Sequence, residues 1–162
     1  MSSRDIIAVC QHNIALFSND CSGFVRAVAN ACGVFIVGDA NAIVASLDFG
    51  KRLPNGVAAQ ESAAAGDLVI AGLQAPRHGH VVVVVNGPLN RGRYPYSFWG
   101  RYRGMTIGDA TMNVGFTHGQ GCLNYAFDVN DRERVKYAAF KPIETLLPRA
   151  NEHEGILVHT FV

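Results

Sequence analysis

Five consecutive valines, Val81 to Val85, lie between His80 and the turn residues Asn86-Gly87-Pro88. A β-branched run without alternation suits a strand covered on both faces, so this strand is central in its sheet and other elements pack above and below it. Leu68 to Ala71 before it and Tyr94 to Trp99 after it read as its partners in an antiparallel meander. His80 is then held at the mouth of the central strand. His78 points to the same side if the strand extends that far. Gly79 between them lets another backbone or a substrate approach closely.

The N-terminal half reads as helical. Ile6, Ile7, Cys10, Ile14 and Phe17 share one side of a helix over 4–17. Asn19 and Asp20 are good N-cap residues, and Phe24, Val25, Val28 and Ala31 follow at helical spacing until Gly33, a natural residue to end a helix. Cys21 sits in the first turn, where unpaired N–H groups and the helix dipole favour an anion and lower a thiol pKa. A thiolate is a strong nucleophile once a base lies in reach, and His80 is the candidate base. The plain alternative is a buried, inert cysteine; the capped, Gly-flanked setting favours the nucleophile.

Asp39 caps a short helix ending at Gly50, Pro54-Asn55-Gly56 marks a loop, and Val57 to Ala65 is helical or a compact coil. Past Arg101 the glycines at 104, 108, 115, 119 and 121 make a loop-rich stretch with a strand near Cys122 to Phe127. Asp131 to Arg134 reads as a solvated turn, and Val135 to Phe140 as a last strand stopped by Pro142. Helices first and strands after them predict an α+β fold, with N-terminal helices packed on an antiparallel sheet. With no repeat and no linker, residues 1–162 read as one domain.

A net charge of +1 argues against a strong grip on nucleic acid or an anionic membrane. Arg91, Arg93, Arg101 and Arg103 interleave with Tyr94, Tyr96, Phe98, Trp99 and Tyr102, a pattern that can bind nucleic acid, hold carboxylates in a cleft, or be a solvated edge strand. No apolar run approaches the ~20 residues of a membrane span, and no signal peptide precedes the first helix, so a non-Sec route is expected for any export. If Cys21 is the nucleophile, Cys10, Cys32 and Cys122 leave at least one free thiol. No two cysteines are spaced as zinc ligands, and His12, His118, His153 and His159 are scattered, so no metal site is expected.

Asp20-Cys21-Ser22-Gly23-Phe24-Val25 opening a helix and Gly79-His80-Val81 opening a valine strand resemble the NlpC-like branch of the papain-type cysteine peptidases. The similarity is closer to the type VI secretion amidase effectors of family 1. Asn19 to Val25, Gly38 to Ala42, Leu68 to Leu73, Gly79 to Val85, Gly87 to Leu89, Tyr94-Pro95 and Leu147 to Ala150 recur in that order. Residues 103–127 match poorly, and 151–162 extend beyond the family's end.

The resemblance implies an NlpC-like papain-type fold with Cys21 and His80 as the catalytic pair. The implied reaction cuts the peptide stem of peptidoglycan between D-glutamate and meso-diaminopimelate, without metal or cofactor. It also implies delivery by the type VI secretion machinery into a rival's periplasm, a cognate immunity protein as partner, and a monomer. The Cys21 backbone N–H is a candidate oxyanion donor; substrate-binding residues and the group that orients His80 are unassigned. Rival readings are a housekeeping wall hydrolase, an acyltransferase on the same fold, and a non-enzymatic binding module whose Cys and His are core residues.

Overall fold

The computed structural model describes residues 1–17, 20–100 and 119–143. It is an α+β arrangement in which helices precede an antiparallel sheet. Helix α1, Ser3–Ile14, begins with a capping box: Ser2 accepts from the Asp5 N–H, and Asp5 accepts from the Ser2 N–H at 2.6 Å. It ends short of Phe17, where the Asn13 carbonyl accepts from Leu16 and Phe17 in tight turns. Helix α2, Cys21–Ala31, buries Phe24, Val25, Val28 and Ala29, and Gly33 follows it at φ +73° as a left-handed C′ residue. Helix α3, Ala40–Ser46, is capped by Asp39 as expected.

The run from Val57 resolves as helix and ends at Ala64. α4, Gly56–Ala64, starts at Asn55, whose side chain accepts from the Ala58 N–H at 2.9 Å. The Asn read as loop is therefore also a cap. The strands are β1 (Lys51–Leu53), β2 (Leu68–Leu73), β3 (His80–Val84), β4 (Tyr96–Phe98), β5 (Gln120–Cys122) and β6 (Lys136–Phe140). Their spatial order is β1-β6-β2-β3-β4-β5, every pair antiparallel. The meander β2-β3-β4 is present, and β3 is interior with all five residues buried.

The strand near Cys122 to Phe127 is a correction: pairing stops at Cys122, and Leu123–Tyr125 forms a 3-10 turn that carries the chain back across the sheet. No sequence signal marks β1, because two exposed residues and one half-buried one carry no period; β6 recruits them at the sheet edge. Asp131 in the mixed-charge run is buried at 5% exposure, so that turn is only partly solvated.

Side chains along β3 alternate between two cores. Val81 and Val83 join Phe24, Val25, Val28, Ile43 and Ile70 beneath α1 to α3. Val82 and Val84 join Ala59, Tyr94, Leu123, Phe127 and Tyr137 on the other face. Among the described residues no helix is long and apolar enough to cross a membrane.

Candidate active site

The Asp20 carboxylate builds the start of α2. It accepts from the Gly23 N–H at 2.8 Å and from the Ser22 hydroxyl at 3.0 Å. Cys21 is the first helical residue, as expected, while Asn19 lies outside the described residues. The end of β4 approaches this turn through Gly100, where a Cβ would overlap the Asp20 carbonyl. Cys21 is 2% exposed.

Burial pushes the Cys21 thiol up to about 11; the N–H groups of Val81, Ser22 and Cys21 itself oppose the rise, and the Asp20 charge adds to it. This corrects the expectation of a lowered thiol pKa. The helix N-terminus does favour the anion, but desolvation of a thiolate at this depth is larger.

His80 opens β3 and is 3% exposed. Burial pushes its imidazole down to about 4, with His78 contributing in the same direction. Its ring lies 5.1 Å from that of Phe127, tilted by 57°. Its Nδ1 is buried and has no hydrogen-bond partner among the described residues. The Val81 N–H, next along the chain from His80, is one of the groups that favour the Cys21 thiolate. The structure does not join the two side chains: no hydrogen bond links Cys21 to His80.

β3 begins at His80, so His78 belongs to the preceding loop and not to the strand. That loop is held by a residue that no local motif marks. Asn41 on α3 donates to the Ala75 carbonyl at 2.8 Å and accepts from the Ala75 N–H at 3.1 Å, while Gln74 donates to the Asn41 carbonyl. A Cβ at Gly79 would overlap Asn41 Oδ1 and the Leu73 carbonyl, so the close approach foreseen there is made by α3 and β2. Asn41 falls within Gly38 to Ala42, a segment already singled out, but its role depends on a tertiary contact 34 residues away.

The basic–aromatic group is largely engaged with itself. Arg93 pairs with Glu133 and lies 5.2 Å over the Tyr94 ring, whose hydroxyl donates to Glu133 at 2.8 Å. Tyr94, Phe98 and Trp99 are buried. Arg101, Tyr102 and Arg103 lie outside the described residues. All four cysteines are free; Cys10 and Cys32 are buried in the first core, and burial raises both thiols. Among the described residues no three His, Cys, Asp or Glu side chains gather as a metal site would require.

A thiol at a helix N-terminus, free N–H groups beside it and an imidazole one residue from its backbone contact can together perform acyl transfer. No family model matches the chain. It is 38% identical over 135 residues to the peptidoglycan amidase Tse1 of Pseudomonas aeruginosa, an alignment spanning 82% of each protein. The chain belongs to this amidase family, the one its ordered motifs resemble.

Proposed function

We propose that this chain is a peptidoglycan amidase that cleaves the γ-D-glutamyl–meso-diaminopimelate bond of the wall peptide with Cys21 and His80, on an NlpC-like papain-type fold formed by residues 1–162. The observation that carries the reading is the 38% identity to a peptidoglycan amidase across 82% of the chain. The placement of Cys21 and His80 supports the assignment of the pair.

With the thiol raised and the imidazole lowered, both are neutral at rest. Proton transfer from Cys21 to His80 then accompanies attack of sulfur on the amide carbonyl, in place of a preformed thiolate–imidazolium pair. The contact between them forms as substrate binds, because catalytic hydrogen bonds commonly tighten only in the bound complex. The tetrahedral oxyanion meets the N–H groups of Cys21 and Ser22, each such donor being worth about 3–4 kcal/mol. His80 gives its proton to the leaving amine, and the thioester remains on Cys21; His80 next draws a proton from water as it attacks, the C–S bond breaks to release the carboxylic acid, and His80 returns the proton to the Cys21 sulfur.

As a type VI effector the protein acts in the recipient's periplasm, and the producer is protected by an immunity protein that inserts between Cys21 and His80. Mass analysis of purified muropeptides after digestion tests the reaction: loss of the D-glutamate–diaminopimelate linkage is expected, and a different scissile bond would refute the assignment. Periplasmic expression in a Gram-negative host should cause lysis and cytoplasmic expression should not; equal toxicity would locate the target in the cytosol.

A further inference from the structure

The proposed catalytic pair is split between two elements: Cys21 opens α2, and His80 opens β3 at the tip of the β2–β3 hairpin. Leu73 and His80 form the last pair of that hairpin, and residues 74–79 close it. The end pair of a hairpin opens more readily than an interior one, because its ladder continues on one side only. A base carried there needs outside support, since about 1 Å of misplacement can cost about 10²-fold in rate.

Asn41 on α3 supplies that support. Its side-chain amide faces Ala75 as an opposing strand would, accepting from the Ala75 N–H at 3.1 Å and donating to the Ala75 carbonyl at 2.8 Å. Gln74 donates to the Asn41 carbonyl at 3.0 Å. At the far end of the loop, Gly79 lies so close that a Cβ there would overlap Asn41 Oδ1. One side chain thus meets both ends of the loop, the second of them next to His80.

The same residue leads back to the thiol. Ile43 and Val44 of α3 share a core with Phe24, Val25 and Val28 of α2. Arg26 of α2 donates to the Gly38 carbonyl, beside the Asp39 cap of α3. Packed and hydrogen-bonded groups therefore run without a break from α2 through α3 and Asn41 to the neighbour of His80. The His80 ring packs on Phe127 and its buried Nδ1 has no hydrogen-bond partner among the described residues, so its aim depends on the backbone that carries it.

We infer that Asn41 is a positioning residue for the hydrolysis: by clasping the β2–β3 loop to α3, it sets where His80 stands relative to Cys21. The inference rests on the proposed Cys21–His80 pair. The test measures kcat and KM on purified disaccharide-peptide fragments of the wall for the whole chain, Asn41→Ala, Asn41→Asp and Ile43→Val, below the melting temperature of each, together with amide hydrogen exchange. Asn41→Asp keeps the shape and the acceptor but, once ionised, cannot donate to the Ala75 carbonyl. Ile43→Val thins the core beneath the same helix with the clasp intact, and so separates positioning from stability. Both Asn41 variants should lower kcat by about tenfold or more with KM within about twofold, and should speed exchange across residues 75–80 while α2 keeps its protection. Ile43→Val should keep the parent's kcat. Asn41 variants with the parent's kcat, a loss confined to KM, or an equal loss of kcat in Ile43→Val would overturn the role. Variants that fail to fold would overturn it too, since Asn41 would then serve the fold alone. Full activity in His80→Ala would overturn the pair itself, and the role with it.

Discussion

The two faces of the sheet share the same strands yet differ in what covers them. Three helices close the first face over an apolar core of Phe24, Val25, Val28, Ile43 and Leu47. The second face is covered by one short alanine-rich helix, two 3-10 turns and the approach to β4, and it holds His80, Tyr94 and Tyr137 among Leu123 and Phe127. Helices that interlock leave no room for unpaired polar groups, whereas turns can present them. Cys21 belongs to the first face through its helix, and the Val81 N–H of β3 acts on its thiol. On the proposed reading the first face acts as scaffold and the second as the working surface, with the thiol at their rim.

The largest effect is expected at the second face. His80→Ala should lower muropeptide cleavage by about 10⁴-fold or more while leaving secondary structure intact, as removal of one member of a catalytic unit does. His78→Ala, in the loop, should cost much less; the reverse pattern would show that the loop histidine is the base. On the scaffold face, Phe24 is fully buried, and Phe24→Ala should destabilise the fold by about 3–5 kcal/mol in denaturant titration. A loss under 1 kcal/mol would mean that this core is less tightly packed than described.

Acid should find the second face too. The imidazole of His80 is lowered from 6.5 to about 4, so the unfolded chain takes up its proton first as pH falls. Its contribution is fully present above pH 6.5 and lost on descending to pH 4, about 3 kcal/mol in all. His80→Gln should flatten that part of the stability–pH profile, and an unchanged profile would contradict the buried neutral histidine. The smallest effect is local: Asp20→Asn keeps a capping side chain but removes the charge that raises the thiol pKa. Alkylation of Cys21 at fixed pH should become faster, and a slower rate would contradict that charge effect.

The scaffold was the more legible half. Periodicity and caps located α1, α2 and α3, and the unbroken valines located β3 at the interior, because these signals are local. The positions of Cys21 and His80 were legible for the same reason, one as the first residue of a capped helix and one as the first of a buried strand. The clamp from Asn41 to Ala75 was not, since it joins residues 34 apart. Nor was the thiol's raised pKa, because burial at 2% exposure is a property of the packed rim and not of the motif. β1 and the Leu123–Tyr125 turn were missed where short, half-exposed or glycine-flanked segments take their conformation from neighbouring strands.

The rim thiol is the proposed nucleophile, and Cys21→Ala addresses it with the least disturbance, removing one sulfur atom from a buried site. Digestion of purified muropeptides by equal amounts of Cys21→Ala and of the unmodified chain, with thermal unfolding of both recorded, is the direct measurement. Cleavage should vanish in the variant while its melting temperature stays close to that of the parent. Substantial cleavage by a folded Cys21→Ala protein would show that the nucleophile lies elsewhere.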